Sequence, residues 1–169
     1  MPPWSGHPQP DPVRPGQESV WSYPRPPRVE PSRESVEVWL GGERIAATTL
    51  SWRVLETSHP PTYYVPRSAF VPGSLRPTEG TSYCEWKGLA SYVDLMGGGV
   101  AVQRAGWFYP EPTRGFEVLA GAVSVMPGLV DRCVVDGEVV RPQEGGFYGG
   151  WVTDRVVGPF KGGPGTLGW

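Results

Sequence analysis

A chain of 169 residues with a formal net charge of −2 and a sequence pI near 5.7 offers no basic footprint for nucleic-acid phosphates, and its apolar runs are too short for a membrane-spanning helix. Pro (21) and Gly (24) make up about a quarter of the chain, at the edge of low complexity, yet eight Trp, seven Tyr and five Phe exceed what disordered segments carry. The balance predicts one soluble domain with a β-rich core, many turns and Pro-rich ends, long enough to bury roughly 70% of its unfolded surface.

In chain order, residues 1–34 carry ten prolines interleaved with Trp4, Trp21 and Tyr23. Pro fixes φ and lacks a donor, so an extended, polyproline-like arm is expected, docked on the body from about Ser19 by the Trp21–Tyr23 aromatics. The ordered domain is expected over 35–140. It begins with Val36, Val38 and Leu40 alternating with Glu37 and Trp39, and Gly41-Gly42 supplies a hairpin turn into Glu43–Thr48. Further strands are predicted at Trp52–Glu56, Thr62–Val65, Gly88–Leu95, Val100–Arg104, Gly121–Met126 and Val130–Val135, each short and bounded by Gly, Pro or Asp. Pro112-Thr113 opens the best helix signal, Arg114–Ala120, two turns at most. Asp136-Gly137 makes a second tight hairpin. Residues 141–169 form a Gly-rich extension with Phe147, Tyr148, Trp151, Phe160 and Trp169, expected to pack on the core. Evenly spaced short strands without βα alternation argue for a mainly β fold of antiparallel sheets.

Two stretches concentrate chemistry. In Arg53–Pro66 a strand ends at Glu56, His59 follows three residues later, and Pro60-Pro61 stiffens the turn before Tyr63-Tyr64. On a strand the two tyrosines face opposite ways, so at most one lines a given pocket. In Tyr83–Gly88, extended geometry would put Cys84 and Trp86 on one face, Glu85 and Lys87 on the other. Lys87 either pairs with Glu56 or Glu85 or holds an anion. Arg53 either bridges Glu56 or Glu37 or clamps an anionic ligand. His59 either pins the Pro-Pro turn or serves as a base or donor oriented by Glu56. Cys84 with His59 and Glu56 lacks the surroundings of a catalytic thiol.

Cys84 and Cys133 are the only cysteines, and with no signal-peptide pattern the expectation is a cytoplasmic setting with reduced thiols. These cysteines with His7 and His59 do not make a closed metal set, so neither a metal nor another cofactor is expected. Gly97-Gly98-Gly99 reads as a turn, and Lys161–Thr166 lacks the helix a phosphate loop needs.

The runs R-V-L-E-T-S-H-P-P-T-Y-Y at 53–64 and Y-C-E-W-K-G-L-A-S-Y at 83–92 resemble the domain-of-unknown-function 427 family (DUF427). The resemblance covers roughly Ser35–Val140, and the F-Y-G-G-W and G-P-F-K-G-G-P-G-T-L-G-W segments are similar to its longer, actinobacterial-type members. It implies a β-tent-like fold, the architecture shared by methionine sulfoxide reductase B and the drug-binding domain of cereblon. It also brings a nucleotidyltransferase label that the scattered carboxylates of this chain do not support. The two Cys-x-x-Cys pairs that hold structural zinc in many such proteins are missing here.

The leading expectation is a pocket for a small molecule or peptide end. Tyr63 or Tyr64, Trp86, Tyr92 and Trp107 would form its walls, and Arg53, Glu56, His59 and Lys87 its polar points. An enzyme using Glu56 and His59 in acid–base chemistry is the second reading. A homodimer paired through the aromatic tails is the third.

Overall fold

A computed structural model describes residues 7–169, so Trp4 lies outside the described residues. The fold is mainly β, its two larger sheets antiparallel and its helical turns five residues or fewer. A seven-stranded sheet runs in the order Arg28–Ser32, Ser51–Leu55, Thr62–Pro66, Ala122–Val125, Val100–Phe108, Gly88–Gly97, Leu75–Cys84. A four-stranded sheet, Glu138–Val139, Arg132–Val135, Val36–Leu40, Glu43–Thr48, lies against it. Gly41-Gly42 turns the chain so that Leu40 pairs with Glu43.

Between the sheets, Val36, Val38, Leu40 and Ile45 from one interlock with Tyr63, Val65, Val93, Leu95 and Val123 from the other, all nearly sealed from water. Each such aliphatic side chain contributes about 1.5–3 kcal/mol of burial. The hairpin turns of the two sheets touch backbone to backbone at Gly41 and Gly98, both at positive φ, and a Cβ on either would collide with the other turn. Glu43 accepts from the Gly98 amide at 2.9 Å across the same contact.

Strand alternation sends Tyr63 into this core and Tyr64 to the outer face of the large sheet, where Val54, Ala90, Tyr109, Phe116, Leu119 and Ala122 form a second cluster. Arg53 sits opposite Tyr63 and shares its face.

Several elements differ from the sequence reading. Arg28–Ser32, expected in the polyproline-like arm, is the edge strand of the large sheet, where Pro31 sits in the one place a ladder tolerates a missing donor. Leu75–Cys84, unpredicted because Pro77 and Gly80 interrupt it, forms the opposite edge with a register shift between Pro77 and Thr81. The helix expected over Arg114–Ala120 is a 3-10 turn, Glu117–Gly121, and the strand expected from Val130 begins at Arg132.

Both flanks meet on the core. Glu18–Ser19 pairs in parallel with Val156–Val157, and Arg141–Pro142 pairs with Trp151–Val152. Val20 and Tyr23 are buried beside Leu55 and Val156. Arg53 ties these pieces together: its guanidinium donates to Glu30 at 2.6 Å and Glu18 at 2.9 Å, while Arg155 reaches Glu18 at 2.7 Å and Glu34 at 2.9 Å.

Candidate functional site

A row of side chains crosses five strands on the outer face of the large sheet. Trp52 lies opposite Tyr64, Tyr64 opposite Ser124, Ser124 opposite Trp107, and Trp107 opposite Tyr92. Directly opposed residues in a ladder present their side chains to the same face, so this register sets four large rings in a row, two on either side of Ser124. Tyr64, Trp107 and Tyr92 line a cavity of about 460 Å³. The Trp107 indole N–H donates to the Tyr64 hydroxyl at 3.2 Å, which fixes both rings.

The second wall comes from the turn that joins Leu75–Cys84 to Gly88–Gly97. Gly88 adopts φ +104, open to glycine alone without strain, and Thr113 clamps the turn by donating its amide to the Lys87 carbonyl at 3.0 Å and its hydroxyl to the Trp86 carbonyl. Because these residues turn and do not extend, Trp86 and Lys87 both reach the cavity, which corrects the opposite-face expectation. Lys87 Nζ sits 5.6 Å from the centroid of the Tyr109 ring, and among the described residues no carboxylate lies within ion-pairing distance of it. Burial works against its charge, but Tyr64, Cys84 and Glu56 outweigh that and hold Lys87 above the usual lysine value.

The third wall is the Glu56–Pro61 turn. Ser58 takes φ +73 and donates its amide to the Val20 carbonyl at 3.0 Å, while its own carbonyl accepts from the Lys161 amide at 2.9 Å. The two flanks thus hold the turn from either side. Glu56 pairs with Arg25 at 3.2 Å and lies 3.8 Å from His59 Nε2.

The tautomer of His59 follows from Gln143. The Gln143 side-chain oxygen accepts from the Gly150 amide at 3.1 Å, and its nitrogen donates to the Lys161 carbonyl at 2.7 Å and faces His59 Nδ1 at 3.2 Å. With the amide oriented this way Nδ1 must accept, so the ring proton sits on Nε2. Tyr148 packs edge-on against the same ring, centroids 4.9 Å apart.

Burial pushes His59 down to about 4, with Lys161, Arg25 and Lys87 adding to the effect and Glu56 opposing it. An unfolded histidine titrates near 6.5, so between these values the unfolded chain binds the extra proton. His59 therefore contributes its full stabilisation above about pH 6.5 and loses it as pH falls toward about 4, by at most about 3 kcal/mol. Substituting His59→Gln is expected to flatten the fall in urea midpoint between pH 7 and 4.5; an unchanged slope would assign that fall to other groups.

The last wall is Phe147-Tyr148-Gly149. Gly149 lies flat against the Trp107 ring, where any Cβ would collide. Phe147 stands 81% exposed at the mouth, stacked edge-on with Tyr148 at 5.0 Å.

Of the residues singled out from sequence, Glu56, His59, Tyr64, Trp86, Lys87, Tyr92 and Trp107 line one cavity. Arg53 and Tyr63 do not: they lie on the inward face, in the ion-paired cleft and the inter-sheet core. Arg53 pairs with Glu18 and Glu30, and not with Glu56 or Glu37. Sequence reasoning missed Tyr109, Gln143, Tyr148 and Lys161 as lining residues. The aromatic and glycine content of 143–163 was the available signal. Cys84 lines the cavity, while Cys133 is sealed in the core and burial pushes its thiol up. No cluster of three or more His, Cys, Asp or Glu side chains suited to a metal ion occurs among the described residues, and none of their helices is long and apolar enough to cross a membrane.

The family described as domain of unknown function (DUF427) matches residues 28–136, nearly two thirds of the chain. The chain belongs to the DUF427 family. The match takes in the whole large sheet and both ends of the Arg53–Pro66 segment, whereas Gln143, Phe147, Tyr148, Gly149 and Lys161 fall beyond it. The DUF427 segment thus supplies the aromatic floor, and the flanks of this chain supply Arg25 and the facing wall. No curated protein matches the chain.

Proposed function

We propose that this DUF427 chain is a small-ligand-binding module whose ligand sits in the cavity on the outer face of the large sheet. The observation that carries the reading is the aromatic row Tyr64–Trp107–Tyr92 beside Lys87, a cation with no carboxylate partner among the described residues. A concave apolar site with a few converging polar groups is the usual form of a small-molecule pocket, and about 460 Å³ lies within its usual size range. The flanks are read as part of the same folded unit, because they close the cavity.

The His59 tautomer favours binding over acid–base chemistry. With Nδ1 accepting from Gln143 and Nε2 protonated, the ring has a donor to offer and no free lone pair to act as a base. The nucleotidyltransferase label gains no support from the carboxylates near the cavity. Glu56 is shared between Arg25 and His59, and Glu85 stands exposed at the rim.

Thermal unfolding against a metabolite collection tests the proposal. A ligand at 100 times its Kd adds about 2.7 kcal/mol to native stability, which in a chain of this size raises Tm by several degrees. Hits are expected to lose their shift in Tyr92→Ala and Lys87→Met. Shifts that survive both substitutions would move the site elsewhere and sink the pocket reading.

A further inference from the structure

We propose that the cavity is built for a small aromatic carboxylate, its carboxylate held between Lys87 and Lys161 and its ring laid against the Trp107 and Tyr148 walls. This rests on the ligand-binding reading above and names the class of ligand.

The first observation is where the lysines are. The chain has fifteen basic residues, of which Lys87 and Lys161 are the only lysines, and both line this one cavity. They approach from opposite walls, Lys87 over the ring of Tyr109 at 5.6 Å and Lys161 over that of Tyr148 at 5.7 Å. Arginine is used for the ion pairs of the scaffold, where Arg53, Arg141 and Arg155 each bridge two carboxylates. A lysine brings a compact charge on a flexible stem, which can follow a ligand oxygen and is not locked to a protein carboxylate.

The second observation is the charge balance. Cation–π contacts such as those to Tyr109 and Tyr148 hold an ammonium weakly and leave its charge uncancelled. Lys161 Nζ donates at 3.3 Å to the Trp169 main-chain oxygen, which also accepts from Arg25 at 3.4 Å. The lining carboxylate nearest these groups, Glu56, already faces Arg25. The Lys87 ammonium therefore meets no carboxylate among the described residues, Lys161 reaches the same cavity from the facing wall, and the His59 Nε2–H adds a neutral donor. One anionic group with two acceptor oxygens completes the set.

The third observation concerns the body of the ligand. Tyr64 and Trp107 present rings from the sheet, Tyr109 one from just past the end of its Val100–Phe108 strand, and Tyr148 one from the facing segment. Aromatic walls on two sides favour a flat unsaturated ring in offset or edge contact over a saturated chain of the same size.

Isothermal titration of the full chain with indole-3-carboxylate and 4-hydroxybenzoate, against their carboxamides, hexanoate and phenyl phosphate, tests the class. The acids are expected to bind, with the carboxamides and hexanoate at least ten-fold weaker, and Lys87→Met and Lys161→Met each lowering acid affinity at least ten-fold. Should Lys87→Met fail to fold, Lys161→Met carries the comparison. Carboxamides, hexanoate or phenyl phosphate binding as tightly as the acids would overturn the aromatic-carboxylate class while leaving the pocket in place, as would acid affinity unchanged in the lysine variants. Silence from every probe in the wild-type chain would overturn the class, whereas the pocket itself stands or falls with the wider thermal-unfolding collection.

Discussion

Substituting Arg53→Ala is expected to lower the unfolding free energy by about 3–5 kcal/mol, a Tm fall on the order of 10 °C. The side chain is 1% exposed and donates to Glu30 at 2.6 Å, Glu18 at 2.9 Å and the Tyr23 hydroxyl at 3.4 Å. Removing it takes the buried cation from Glu18 and Glu30 and leaves a void in the sheet. Arg155 would still reach Glu18 and Glu34, and the two glutamates freed are partly solvated, so the loss should sit toward the lower end of that range. Arg53→Met keeps most of the volume and should lose less, since a buried pair exchanged for packed apolar atoms is often close to neutral. Urea midpoints of both variants make the comparison. A loss under 1 kcal/mol in Arg53→Ala would mean that the network contributes nothing net.

An effect of similar size is expected at Trp151. The indole is fully buried, stacks on Tyr63 with centroids 4.9 Å apart, and donates to the Val125 carbonyl at 3.0 Å. Truncation to alanine is expected to cost about 3–5 kcal/mol through lost burial and the void left behind, and it also orphans a buried carbonyl. Its reach should extend past stability. Trp151 anchors the segment that carries Gln143 and Tyr148, and its own amide donates to the Pro61 carbonyl at 2.8 Å beside the His59 turn. Limited proteolysis should therefore find new cleavage within 143–150 in Trp151→Ala, with the Val36–Thr48 hairpin still protected. Protection of both regions would disconnect the wall from its anchor.

The two acid-sensitive groups act in different pH windows. Burial alone would raise the pKa of Glu34, but hydrogen bonds from Tyr63 and Ser32 together with Arg155 and Arg53 hold it below the ordinary glutamate range. Its stabilisation is present above the unfolded glutamate value and is lost only as pH falls through the lower folded one. His59 acts earlier on acidification, between about 6.5 and about 4.

Much of the sheet framework was legible because its signals are local. The Val36–Leu40 alternation and the Gly41-Gly42 turn are period and turn chemistry written in adjacent residues, and the Tyr63-Tyr64 split follows from the period of a strand alone. Which face was which could not be read, because that depends on what covers each side; yet Arg53 was grouped with Glu56 although residues three apart on a strand face opposite ways, and only the register sets Arg53 beside Tyr63. The two edge strands escaped for a related reason. Pro31, Pro77 and Gly80 weaken strand propensity, and only their edge position makes them acceptable. The facing wall of the cavity was least legible. His59 and Gln143 meet across 84 residues, and no pattern near either one announces the other.

The parallel pairing of Glu18–Ser19 with Val156–Val157 gives the molecule a mechanical character. Two antiparallel end strands would be unzipped one bond at a time by tension between the flanks. Parallel ones are sheared instead: the leading flank is drawn along the strand axis one way and the trailing flank the other. The Glu18 amide bond to the Arg155 carbonyl and the ionic bridges from Arg53 and Arg155 to Glu18 then share the load at once. Tension along the chain would meet this short clasp before it reached the sheets.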